Sequence, residues 1–115
     1  MTDVINLMFE ILANIKHAHL MTTKYAEHKA TDKLYNQFSE QQDRFLEVYL
    51  GKYSRKKQSN TQLNYNLYNE DISSYLKTIV KKLDTIVSKK DDELKNIIEE
   101  MKASIYQTIY LLTLK

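Results

Sequence analysis

Apolar side chains recur along this chain at spacings of three and four residues, in four separate blocks. In the first, Val4, Met8, Ile11, Leu12, Ile15 and His19 fall within one arc at about 100° per residue. This predicts a helix over about residues 3–22, capped by Thr2 or Asp3. His19 lies on the buried stripe and His17 points away from it, toward solvent. The run Met21-Thr22-Thr23-Lys24 breaks the pattern, with Thr22 or Thr23 as the next cap, and a second helix follows over about 24–50 or a few residues beyond. One of its faces carries Ala30, Leu34, Phe38, Phe45, Val48 and Tyr49; a flanking stripe carries Tyr25, His28, Tyr35, Leu46 and Leu50. Asp43 and Glu47 lie roughly opposite Phe38 and Phe45, beside the flanking stripe. A helix with two apolar stripes serves two interfaces, one inside the protomer and one between protomers.

The third block, Ile72, Tyr75, Leu76, Ile79, Val80, Leu83, Ile86 and Val87, has Lys77, Lys81 and Lys82 on its wet side, and predicts a helix over about 70–87. The fourth, Leu94, Ile97, Ile98, Met101, Ile105, Ile109 and Leu112, predicts a helix over about 92–113. Ser88 or Asp91 caps it, and Asp91, Asp92 and Glu93 suit its positive end. Between the second and third helices lies SRKKQSNTQLNYNLYN, polar and aperiodic. At roughly 3.3 Å per extended residue it can span about 50 Å, longer than a 25-residue helix at about 1.5 Å rise. It therefore serves as a crossover along the whole bundle; a tight turn needs far fewer residues. The expectation is an all-α, ferritin-like four-helix bundle, a single domain over 1–115, with a long connection between the second and third helices.

Composition supports this and narrows the chemistry. There is no proline and one glycine, Gly51, which marks or follows the end of the second helix. With no cysteine, disulfides, thiolate metal sites and a cysteine nucleophile are excluded, so any metal site uses histidine and carboxylate. A formal net charge of +2 is too small to argue for nucleic acid. Lys52, Arg55, Lys56 and Lys57 cluster near the end of the second helix, where cations complement the helix dipole; a nucleic-acid patch there is the lesser reading. Asn6, Glu10 and Asn14 interrupt the apolar runs, so no membrane span or signal segment is expected and the location is cytoplasmic. Abundant Asn, Lys, Ile and Tyr point to A+T-rich coding DNA, as in many viruses, which would place the chain in the host cytoplasm or the virion. No nucleotide loop or nucleophile–base motif is found, and no catalytic residue beyond metal ligands is expected.

His19, His28, Asp43 and Glu47 form a nitrogen–oxygen set that suits iron(II), manganese(II) or zinc(II). Asp43 and Glu47, four apart, share one helical face, about 6 Å apart at Cβ. Spacing alone favours the plainer account of a solvated acidic face.

These residues carry a resemblance. His19 in HAHL, His28 in YAEHKATDKLY, and Asp43 with Glu47 in DRFLE resemble the ligand pattern of the Dps-type mini-ferritins, including the fifteen- and four-residue spacings. The terminal run DDELKNIIEEMKASIYQTIYLLTL resembles that family's last helix, and small ferritin-like proteins of phages and large viruses also look similar. The resemblance implies iron oxidation and sequestration at a site between two subunits, two histidines from one and the carboxylates from the other. It also implies a homo-oligomer formed through the second helix. The sequence departs from the family in the nine-residue gap between His19 and His28, in Leu20 after the first histidine, and in the absence of tryptophan. Those departures motivate the alternative: a non-enzymatic, self-associating or virion-associated helical module that kept the fold without iron chemistry.

Overall fold

The computed structural model of the protein describes residues 4–53 and 64–114, and its helices are α1 (Val4–Met21), α2 (Tyr25–Tyr53), α3 (Ile72–Leu83) and α4 (Asp92–Leu111). Among the described residues there is no strand, so the all-α bundle is as expected. The Thr2 and Asp3 cap and the basic residues Arg55, Lys56 and Lys57 lie outside the described residues.

The four apolar stripes meet in one core. Met8, Ile11 and Ile15 of α1, Leu34, Phe38 and Phe45 of α2, Leu76 and Leu83 of α3, and Leu94, Met101 and Ile105 of α4 are fully buried. Each such side chain contributes roughly 1.5–3 kcal/mol by leaving water. Helix α2 packs against both α1 and α4, and α3 against α4 and α1, so the order around the bundle is α1, α2, α4, α3. Gln41 of α2 donates to Ser104 Oγ of α4 at 2.9 Å, and Lys52 near the end of α2 meets Asp91 at the start of α4, so these two helices run antiparallel.

The described part of the long connection runs beside α1 in the direction of α1. Asn64 N–H donates to Asn6 Oδ1 at 2.6 Å, Asn14 Nδ2 donates to the Asn66 carbonyl at 3.0 Å, and the Tyr68 ring meets His17 edge-on at 6.4 Å. The connection is thus a crossover along the bundle that returns the chain to the His19 end before α3 begins. Asn14 also donates to Tyr75 Oη at 3.0 Å inside the core. Burial pushes the Tyr75 phenol far above its ordinary range.

The structure fixes the helix boundaries that the sequence pattern leaves approximate. Helix α3 stops at Leu83, because Thr85 bonds back to the Lys82 carbonyl with both its N–H, at 3.0 Å, and its hydroxyl, at 2.8 Å. Ile86 and Val87 still pack against the core from the turn that follows. Helix α2 continues through Gly51 to Tyr53, and a glycine in a helix costs only about 1 kcal/mol relative to alanine. Helix α4 ends at Leu111, with Leu112 as its cap. The caps themselves are as expected: Asp91 accepts from the Leu94 N–H at 3.4 Å, and Asp71 from the Ser74 N–H at 2.7 Å. Among the described residues, no helix is long and apolar enough to cross a membrane.

Candidate metal-binding half-sites on the second helix

The turn between α1 and α2 is tied by local hydrogen bonds. Thr22 Oγ1 accepts from the Lys24 N–H at 3.2 Å and donates to the Glu27 carboxylate in the first turn of α2. This brings the last turn of α1 against the first turn of α2 and sets His19 beside His28.

The two imidazoles then lock to one another. His19 Nδ1 bonds to the His28 carbonyl at 2.9 Å, and His28 Nδ1 bonds to the His19 carbonyl at 2.9 Å. Their rings stack with centroids 3.9 Å apart and planes 19° from parallel. A carbonyl oxygen only accepts, so Nδ1 of each ring carries the proton, and in the neutral ring Nε2 is left with its lone pair. An imidazole whose Nδ1–H is held by a backbone carbonyl is oriented as metal-ligating histidines are. His19 is 8% exposed; His28 is half-buried. His17 is exposed, as its place on the helical wheel requires.

A carboxylate that sequence reasoning passed over stands beside this pair. Asp32 Oδ1 lies 3.9 Å from His19 Nε2, beyond hydrogen-bond reach, with its side chain half exposed. The signal was available: Asp32 follows His28 by four residues on α2 and so shares its face.

Asp43 and Glu47 are exposed on the outer face of α2. The hydrogen bond that the protonated Glu47 carboxyl donates to Asp43, and the negative charge of Asp43, raise Glu47 above its ordinary 4.5, so Glu47 holds its proton more readily than an isolated acid. Fifteen residues of helix separate His28 from Asp43, about 22 Å at about 1.5 Å per residue. The histidines and the acid pair therefore cannot meet within one chain. Among the described residues, no three His, Asp or Glu side chains converge in a way that could hold a metal ion. Each chain thus carries a histidine pair and, well apart from it, an acid pair.

Lys52, the described member of the basic cluster, is engaged inside the protein. Its Nζ bonds Asp91 Oδ1 at 2.6 Å and Glu93 Oε2 at 3.2 Å, while Tyr53 Oη donates to Asp91 Oδ2 at 2.6 Å. The Lys52 ammonium and the Tyr53 phenol together hold Asp91, itself buried, below its ordinary carboxylate range. This lysine fastens α2 to α4, which gives Lys52 a structural role.

Comparison with known proteins places the chain without assigning it an activity. A protein of Enterobacteria phage T4, described as an uncharacterized 14.6 kDa protein in the mobD-ri intergenic region, is 26% identical over 113 residues, covering 98% of this chain and 88% of the relative. The phage likeness agrees with the compositional expectation, and neither this relative nor the matching family carries a description of iron chemistry. No solved structure matches significantly. The model of a family of unknown function, DUF5856, matches residues 19–112, a span that begins at His19 and takes in both the histidine pair and the acid pair, and the chain belongs to that family.

Proposed function

We propose that this protein binds a divalent transition metal between two copies of itself, His19 and His28 coming from one copy and Asp43 and Glu47 from the other. The observation that carries the proposal is the reciprocal Nδ1–carbonyl locking of the two imidazoles, which leaves both Nε2 lone pairs without a protein donor. The acid pair supports it, because two carboxylates that repel one another on an exposed face are relieved by a cation. The donor set fits iron(II), manganese(II) or zinc(II) better than soft metals. The resemblance to mini-ferritins favours iron as cargo, oxidised by dioxygen or peroxide and then held. In that reaction the chain's own residues orient the imidazoles, supply the oxygen donors and bring two copies together. Asp32, beside His19, is placed to attract the cation toward the histidines.

The test separates ligand from scaffold. In a His19→Asn/His28→Asn variant, each Asn Nδ2 can replace Nδ1–H as the donor to the opposite carbonyl, while the Nε2 donors are gone. The expected result is a folded variant that no longer takes up metal, measured as metal content together with solution mass on the same sample. Titration of the wild type with iron(II) is expected to give an absorbance rise from oxidation that an Asp43→Ala/Glu47→Ala variant lacks. A wild type that stays metal-free and binds neither iron(II) nor zinc(II) would leave the self-associating helical module as the function.

A further inference from the structure

The outer face of α2 carries a charge pattern that no other described residue of the chain uses. Tyr25, Lys29, Lys33 and Asn36 occupy it in the first half of the helix, and all are exposed. Glu40, Asp43, Glu47 and Gly51 occupy it in the second half, also exposed. At about 100° per residue, these positions stay within one arc of roughly 80°, recurring at spacings of three and four. Among the described residues, neither Lys29, Lys33 nor Glu40 has an ion-pair partner; Lys29 only overhangs the Tyr25 ring, at 5.9 Å. Among the described residues, Asp43 and Glu47 have only one another.

Reversing the helix direction turns this pattern into its own complement. We propose that a second copy of the chain packs on this face with its α2 antiparallel, in a single register. There, Lys29 faces the partner's Glu47 and Lys33 faces the partner's Asp43. Asn36, nearest the two-fold axis, faces the partner's Glu40. Tyr25, 75% exposed, faces the partner's Gly51. In a two-fold arrangement every one of these pairs occurs twice. A parallel arrangement sets lysine on lysine and acid on acid, which is repulsive throughout.

Gly51 is the second, independent pointer. A Cβ at that position would meet no atom of its own chain within 4 Å, so intrachain packing does not require glycine there. The helix nevertheless bears a cost of about 1 kcal/mol relative to alanine. An aromatic ring approaching closely from outside gives the glycine a use: Tyr25 of the second copy can lie flat on the bare backbone. The whole seam, from Tyr25 to Gly51, is about 39 Å long at about 1.5 Å per residue.

This register draws on the same Asp43 and Glu47 as the proposed metal site and, like it, needs a second copy, but its attraction comes from lysines and acids and operates without any ion. The experiment is light scattering and sedimentation of the full chain in EDTA. The wild type is expected to associate at low salt and to weaken by about tenfold or more as salt approaches about 1 M, where charges are screened beyond roughly 3 Å. K29E/K33E and D43K/E47K are each expected to be folded monomers by circular dichroism and sedimentation. The four-fold variant K29E/K33E/D43K/E47K is expected to recover the dimer, because only the antiparallel register restores every pair. An equimolar mixture of the two double variants is expected to form a mixed dimer. A wild type that is monomeric in EDTA overturns the register, even if metal later drives association. Indifference to both charge reversals, or failure of the four-fold variant to recover, overturns it as well. The His19→Asn/His28→Asn variant is expected to keep the EDTA-stable dimer, so loss of metal with the dimer intact counts against the metal site alone.

Discussion

The two ends of α2 are fastened to their neighbours by different chemistry. At the α4 end, Asp91 accepts from Lys52 and Tyr53, each at 2.6 Å, and from the Leu94 N–H at 3.4 Å. Its acceptor capacity is consumed in holding the helices together. At the α1 end, each of two imidazoles uses Nδ1 for the fastening and leaves Nε2 uncommitted. A carboxylate in this fold can thus be wholly structural, while the histidine clasp does a structural task and still offers donors. The same contrast separates Asp91 from Asp43 and Glu47, which are exposed and cap or fasten nothing within their own chain.

The comparison can be broken first at the histidine end. Replacing both His19 and His28 by alanine is expected to cost about 2–4 kcal/mol in urea unfolding, from two lost hydrogen bonds, the ring contact and a nearly buried side chain. The His→Asn pair is expected to cost less than half of that. Because each ring bonds the other's backbone, a double-mutant cycle on the alanine variants is expected to show a coupling of about 0.5 kcal/mol or more. Additive effects would mean that the two rings act independently.

Next comes the opposite end. Asp91→Ala removes the cap of α4 and the acceptor for Lys52 and Tyr53, with an expected cost of about 1–2 kcal/mol in thermal melts. Acid then sharpens the point. Asp91 is held below its ordinary 3.8, so the unfolded chain binds the proton more readily than the folded one. Its contribution is complete above that ordinary value and is lost as pH falls through the lower, native one. The stability gap between wild type and Asp91→Asn is therefore expected to close on acidification, measured by urea midpoints across an acid series. The smallest effect is expected at Asp43→Asn, which removes the negative charge beside Glu47. Carboxyl resonances should show Glu47 titrating at lower pH than in the wild type, with little change in unfolding midpoint.

Periodicity made most of the fold legible. The stripes in all four helices are buried where the wheel puts them, His17 and His19 divide between solvent and core, and Asp91 caps α4. Local bonding hid the rest. The pattern runs on to Val87 because Ile86 and Val87 do pack on the core, yet Thr85 turns the backbone after Leu83. Gly51 reads as a stop by propensity, while contacts from the last turn of α2 to Asp91 carry the helix past it. The path of the crossover along α1 rests on Asn6 and Asn14, polar residues on an otherwise apolar helix that the sequence presented only as interruptions. At the candidate site, the residue types and their helix faces were readable. The mutual locking of the imidazoles was not, because it depends on two carbonyls whose positions are fixed by the α1–α2 turn. Asp32 could be placed on the face of His28 by its four-residue spacing, but its nearness to His19 arises from the turn.

The claim that the site forms between copies is tested most directly by mixing two defective variants. One, His19→Asn/His28→Asn, keeps the acid pair; the other, Asp43→Asn/Glu47→Gln, keeps the histidines. Each alone is expected to bind no zinc(II) by calorimetry, whereas the wild type binds it. A mixed dimer contains one whole site and one doubly defective site, so the equimolar mixture is expected to regain zinc binding at a fraction of the wild-type stoichiometry. A mixture that binds no more zinc than its separate components would contradict a site shared between two copies.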